Sequence, residues 1–249
     1  MIKSEWIKLW SVRSSWWALY VAAVGMIGIA AAYSLTIRTY QATPTQALQG
    51  AAFGQLAFGV LGVLAVSTEY STGLIRTTFA TVPRRRVVIA AKCGVLLAVL
   101  LVVGQVVAFA AFFTAQLLLG HRGVHFSLGD RDMLISVLGS GCYMAFIGMF
   151  GFCVGVLLQK TTAAVATFFG VVFVAMGVIP NLMPGSIKAD VTRLTFLKIG
   201  EAMSSPARSL PRDATDGLLS TGAAWGMCVL YLAVVLVVPL LVVTRRDTN

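Results

Sequence analysis

Six long apolar segments restrict the fold of this chain more than any other feature of its sequence. They run approximately over residues 16–37, 51–68, 87–119, 133–158, 163–183 and 218–243. An α-helix needs about 20 apolar residues to cross the hydrocarbon layer of a bilayer. Backbone polar groups in lipid must also be hydrogen-bonded within their own segment, which a helix achieves. We therefore predict an all-α integral membrane protein with six transmembrane helices.

The composition agrees with a membrane environment and leaves no room for a second domain. Hydrophobic residues make up 58% of the 249 residues, charged residues only 11%, and the mean hydropathy is +0.89. A soluble protein would carry roughly 25% charged residues. The connections between the apolar segments are too short to form a separate soluble unit. We predict a single transmembrane domain over residues 1–249.

The distribution of lysine and arginine predicts the orientation. Six spans place eleven of the 19 cationic residues on the side that holds both termini, and eight on the other side. Five of those eight lie in the last external connection, between residues 183 and 218. Without that connection the bias is eleven against three. Because cytoplasmic loops are enriched in Lys and Arg, both termini are predicted to be cytoplasmic.

The first 15 residues have their own amphipathic pattern. Trp6 and Trp10 lie on one side of a helix, and Lys3 and Lys8 are interleaved between the apolar positions. Tryptophan and basic residues on one helix suit the lipid headgroup layer. We predict an interfacial helix over about residues 1–15.

The long external connection, about residues 184–217, also has a helical pattern. Prolines and a glycine end the fifth span, and four apolar residues then mark one side of a short helix. These are Ile187, Val191, Leu194 and Leu197. The pattern predicts a short extracellular helical cap, with a disordered loop as the alternative.

A basic island over about residues 69–86 separates the second and third spans. Gly73 permits a break after the second span, and Pro83 disfavours helix in the residue before it. Between them, apolar residues recur at helical spacing. The island reads as a short amphipathic helix at the membrane surface, with one side available to another molecule.

Several functional classes lack their usual residues. The four cysteines form no Cys-x-x-Cys pair, and the two histidines have no nearby third ligand, so neither a metal nor a thiol-redox site is predicted. Hydrolase motifs and the phosphate-binding P-loop are missing as well. The spans contain no acidic residue near their centres, which disfavours a carrier driven by an ion gradient. An energy source on another chain becomes the favoured interpretation.

The chain resembles the membrane subunit of bacterial ABC transporters of the ABC-2 permease family. The resemblance covers Ser4-Glu5-Trp6-x-Lys8-Leu9, the six spans and the long external connection. Its most specific part is Glu69-Tyr-x-x-Gly73-x-Ile75-Arg76-Thr-Thr, followed by Val82-Pro83-Arg84-Arg85. In that family the loop between spans two and three is a cytoplasmic coupling helix, seated in a groove of the ATPase subunit.

The resemblance implies a set of ATPase-docking residues in the island and a smaller contact between spans four and five. The docking residues are Gly73, Leu74, Ile75, Arg76, Thr77, Thr78, Phe79, Arg84 and Arg85, and the smaller contact is Gln159 and Lys160. The alternative for the arginines is that they enforce topology and bind anionic lipid. Glu69 is a candidate gate or structural relay, bonded to neighbouring spans or basic groups.

Uncharged polar residues inside the spans are candidates for lining a passage. They are Gln55, Gln105, Gln116, Ser136 and Ser140. The alternative is that these side chains hydrogen-bond one helix to another. A row of small residues, Ala145, Gly148, Gly151 and Gly155, marks a face of the fourth span for close packing within one subunit or between two.

The function that the resemblance implies is a non-catalytic permease subunit of an ATP-driven exporter. Its cargo would be an amphipathic, drug-like or lipid-like compound. This chain would hold no cofactor, because ATP and Mg would bind the partner ATPase. A second permease copy or paralogue, membrane lipids and the bacterial cytoplasmic membrane complete the expected setting, and no nucleic acid is involved. The alternatives are an ATP-independent transporter or channel, and a scaffold that recruits a cytoplasmic protein.

Overall fold

A computed structural model describes residues 13–36, 48, 51–74, 85–121, 128–205 and 218–245, most of which are helical and none of which forms a strand. Within these ranges six helices are long and apolar enough to cross a membrane. They are α1 (Arg13–Thr36), α2 (Ala51–Ser71), α3 (Arg85–Gly120), α4 (Arg131–Leu158), α5 (Thr161–Leu182) and α8 (Thr221–Arg245). Two shorter helices, α6 (Gly185–Arg193) and α7 (Phe196–Ser204), lie between α5 and α8. The predicted all-α, six-span architecture is confirmed.

Helix α4 is the centre of the bundle and packs directly against α2. A Cβ atom on Gly62 would lie 1.8 Å from the carbonyl oxygen of Gly148, and one on Gly151 would lie 2.1 Å from that of Gly59. Only glycine allows two helix backbones to approach this closely. The predicted small-residue face of span four therefore packs inside the chain.

Helices α1, α5 and α8 lie at the periphery and bury only a small part of their surfaces. Their large exposed side chains are apolar, including Val174 and Leu182 of α5 and Val229 of α8. The middle of α5, Gly170–Val178, is a π-helix, which the apolar pattern did not predict. In a bilayer these surfaces contact lipid or another protein.

The two ends of the bundle carry different connections. Gly155 near the end of α4 packs on Val63 and Val66 near the end of α2, so both helices finish at the same end. We call this the Glu69 end; it also holds the start of α3 and the connection from α4 to α5. The opposite Asp130 end holds the connection from α3 to α4 and the start of α8.

The structure bears on two further predictions, the amino-terminal interfacial helix and the helical connection between α5 and α8. Residues 1–12 of the predicted interfacial helix lie outside the described residues, and residues 13–15 belong to α1. The described part of the connection after α5 is helical, as predicted, but the continuous helix through Leu194 and Leu197 is wrong, because Leu194 and Thr195 separate α6 from α7. The Thr195 hydroxyl accepts a hydrogen bond from the backbone N–H of Lys198 and begins α7 there. Residues 206–217 lie outside the described residues.

Candidate functional site

An ion pair joins α2 to α3 at the Glu69 end. The ammonium group of Lys92 lies 2.5 Å from a carboxylate oxygen of Glu69 and donates a hydrogen bond to it. The Lys92 side chain is only 6% exposed and the Glu69 side chain only 12% exposed. Removing two charges from water is unfavourable, and a close hydrogen-bonded contact between them offsets much of that penalty. The pair therefore holds the two helices at a fixed separation.

The location of the pair relates it to the basic island. Glu69 lies in the last turn of α2 and Lys92 in the second turn of α3. The island lies between them in the chain, so the ion pair joins the two helices that flank it.

The carboxyl end of α2 is a defined turn. Gly73 has a φ of 75°, in the left-handed region that glycine adopts without a steric penalty, and its N–H donates to the carbonyl of Tyr70. The hydroxyls of Ser71 and Thr72 both donate to the carbonyl of Thr68. The break predicted at Gly73 is present. The Gly73 N–H satisfies the carbonyl of Tyr70 at the helix end, whereas the carbonyl of Thr68 also accepts from the backbone N–H of Thr72.

The connection between α4 and α5 consists of Gln159 and Lys160 alone. Gln159 has a φ of 58°, and its N–H donates to the carbonyl of Gly155 at 2.9 Å. The carbonyl of Lys160 accepts a hydrogen bond from the N–H of Ala164, and the Lys160 side chain is exposed. This tight connection fixes the end of α4 relative to α5. It lies at the same end of the bundle as the Glu69–Lys92 pair.

The structure describes part of the predicted docking set. Gly73 and Leu74 are described, and Leu74 is helical and 56% exposed. Arg85 begins α3, and nothing is described of its side chain. The remaining island residues lie outside the described residues: Ile75, Arg76, Thr77, Thr78, Phe79 and Arg84. Their docking role stays a prediction.

Two of the polar residues in the spans connect helices. The carboxamide oxygen of Gln55 in α2 accepts a hydrogen bond from the hydroxyl of Tyr143 in α4. The carboxamide nitrogen of Gln105 in α3 donates to the carbonyl of Leu138 in α4 at 2.9 Å. Both bonds fasten a neighbouring helix to α4. They agree with the hydrogen-bonding interpretation of these residues in this conformation.

The other candidates are placed differently. The Ser136 and Ser140 hydroxyls donate to carbonyls four residues earlier in α4 and are buried. Gln116 lies half-buried in α3. The role of these three residues in lining a passage stays a prediction.

Lys92 is the residue of this site that sequence reasoning missed. In the charge distribution, Lys92 is only one of the eleven cationic residues on the side that holds both termini. The available signal was the placement of an acid at the end of one apolar segment and a base near the start of the next. Consecutive spans run antiparallel, so these two positions lie at the same membrane surface.

The six long apolar helices define a multi-pass membrane protein. Residues 1–181 match the family described as ABC-2 family transporter protein, and the chain belongs to that family. A comparison with curated proteins gives no match.

Proposed function

We propose that this chain is the membrane-spanning subunit of an ATP-driven exporter, and that residues 73–81 dock on a separate ATPase subunit. The cargo is an amphipathic, drug-like or lipid-like compound that leaves the cytoplasm or the inner leaflet. The observation that carries the proposal is the Glu69–Lys92 pair, which ties together the two helices flanking the docking segment. Family membership supports the same assignment.

A docking segment transmits motion only when it is firmly joined to the spans. Gly73 sets the direction in which the chain leaves α2, and Lys92 holds α3 to the end of α2. A displacement of the segment would act on these two helices together. Arg84 and Arg85 supply donors for carboxylates on the partner, since guanidinium groups bind carboxylates with two parallel hydrogen bonds.

The two-residue connection at Gln159 and Lys160 gives the partner a second contact at the same end. It joins the most buried helix, α4, to the most exposed one, α5. Contact with both the docking segment and this connection would let the ATPase move the peripheral helix α5 relative to the central helix α4.

A second permease copy or a paralogue completes the passage. Within the described residues most of α4 is buried against its neighbours, which favours a route between two permease halves. ATP binding closes the two ATPase subunits and shifts the population from a cytoplasm-facing to an outward-facing arrangement. Both termini and the docking segment lie on the cytoplasmic side of the bacterial membrane.

Affinity purification from native membranes after mild crosslinking tests this proposal. The expected result is a co-purified ATPase that contains a P-loop. Reversing the charges of Arg84, Arg85 and Arg86 should lower the amount of ATPase recovered without preventing insertion. Reversal of Arg245 and Arg246, predicted to lie on the same side, is the matched control.

The proposal fails if no P-loop ATPase is recovered with the wild-type chain. Transport by the purified chain in vesicles without nucleotide would favour an ATP-independent carrier or channel. If charge reversal at Arg84, Arg85 and Arg86 changes topology while ATPase association survives, these arginines only orient the chain in the membrane.

A further inference from the structure

The side of α5 that faces the core repeats every four residues, whereas an α-helix repeats about every 3.6. Ala164 and Phe168 are fully buried before the π-helical segment, Gly170–Val178. The same side then continues through residues that pack on the core or are buried, namely Val172, Met176 and Pro180. An unbroken α-helix from Ala164 would turn Pro180 nearly to the opposite side. The π-helical segment therefore keeps one side of α5 on the core.

Two residues after the segment favour its wide turns. Pro180 has no N–H to donate, and in an α-helix its ring would clash with the carbonyl four residues earlier. The N–H of Ile179 donates to the carbonyl of Val174, five residues earlier. The carboxamide nitrogen of Asn181 donates to the carbonyl of Gly177 at 2.8 Å. We call this arrangement the π register of α5.

The sequence of α5 also contains a second apolar side, at α-helical spacing. From Ala164 and Phe168 this repeat passes through four further apolar residues, namely Val171, Ala175, Val178 and Leu182. In the structure the last two of these are turned away from the core, since Val178 is 50% exposed and Leu182 79% exposed. The two repeats share their first residues and separate only within the π-helical segment.

The two ends of α5 are held differently. The ring of Phe168 lies 6.1 Å from the ring of Phe150 in α4, which fixes the first part of α5 in the bundle. No residue of the π-helical segment is buried. After Leu182, Met183 is extended and separates α5 from α6, so a rotation of the end of α5 can be taken up there. Few contacts therefore oppose a rotation confined to the Asp130 end of this helix.

We infer that α5 has two registers, the π register and an α register in which Val178 and Leu182 replace Met176 and Pro180 on the core side. Between Ala164 and Pro180 the two repeats diverge by roughly 160°. Conversion would turn the Asp130 end of α5 while its Glu69 end stays packed. Both sides are apolar, so each register offers an apolar surface to the core. Single π turns in helices are frequent at functional sites. The inference does not depend on how transport is driven.

Nitroxide accessibility in lipid bilayers tests the two registers. The four native cysteines are replaced by alanine, and a nitroxide is attached at Leu182→Cys. Ala166→Cys is the matched control, because Ala166 is exposed on the same helix before the π-helical segment. Pro180→Ala is then added to each, since alanine restores the N–H and removes the ring that opposes α-helical bonding. Power saturation measures the rate at which each label collides with oxygen, which concentrates in lipid.

The two registers predict that Pro180→Ala lowers the collision rate of the Leu182→Cys label by at least about threefold, since that side turns to the core. The rate of the Ala166→Cys label should not change. Asn181→Ala, which removes only the bond to the carbonyl of Gly177, should act in the same direction with a smaller effect. Unchanged rates at both labels in both variants would overturn the inference. Equal changes at both labels would also overturn it, because the whole helix would then have moved.

Discussion

The ammonium group of Lys92 lies 2.5 Å from the carboxylate of Glu69 and so joins the end of α2 to the start of α3. The chain between these two residues contains the basic island, the most specific part of the resemblance to ABC-2 permeases. Family membership is established over residues 1–181. The ion pair joins the two spans that flank the island, which is the basis of the proposed coupling.

The first prediction separates stability from coupling at this pair. Lys92→Met alone removes the buried partner of the Glu69 carboxylate and should lower the free energy of unfolding by about 3–5 kcal/mol. Changing both residues, Glu69→Leu with Lys92→Met, should restore most of that stability, because apolar residues replace a buried pair at little net change. Unfolding in bicelles measures both values.

The double variant should nevertheless uncouple the complex. With its ATPase bound, it should hydrolyse ATP at a rate similar to wild type and export less cargo per ATP. Lys92→Arg, which keeps the charge, should retain coupling. Equal transport per ATP in the double variant and wild type would show that the pair is only structural.

The second prediction concerns the turn at Gly73. Gly73→Ala should destabilise the protein by about 1–2 kcal/mol, because an L-residue is strained at a φ of 75°. Nothing lies within 4 Å of the added Cβ, so the effect comes from the backbone conformation alone. Gly94→Ala is the control: its site is equally open but helical, and alanine should stabilise it by up to about 1 kcal/mol. Thermal unfolding of both variants tests this prediction. Equal changes in stability for Gly73→Ala and Gly94→Ala would refute the backbone-strain explanation.

The third prediction concerns the contact between α2 and α4. Gly62→Ala places a Cβ against the carbonyl oxygen of Gly148, so the backbones must separate, at a cost of about 1–3 kcal/mol. Gly25→Ala on the peripheral α1, where nothing lies within 4 Å, should be neutral or slightly stabilising. The unfolding midpoints of Gly62→Ala and Gly25→Ala, measured under the same condition, test this prediction. A Gly62→Ala variant as stable as Gly25→Ala would contradict the close packing.

The six spans could be predicted because each is recognised by its own length and apolar composition. The break at Gly73 was also a local signal. The contact between Lys92 and Glu69 could not be predicted in this way. A count of charges assigns Lys92 to one membrane surface but does not show which residue it contacts. The placement of α7 on α4 depends on Phe196 meeting Phe146 and Phe150, residues about fifty positions earlier in the chain. An apolar pattern over Ile187, Val191, Leu194 and Leu197 could not show that a turn at Thr195 divides it.

Site-specific photocrosslinking from Leu74 tests the central claim, docking of residues 73–81 on an ATPase, most directly. Leu74 is exposed and begins the segment, so a benzoylphenylalanine placed there should crosslink to a chain that contains a P-loop. The same group at Leu182, exposed at the Asp130 end, should not reach that chain. Crosslinks from Leu74 only to lipid, or to the ATPase equally from both positions, would contradict the account.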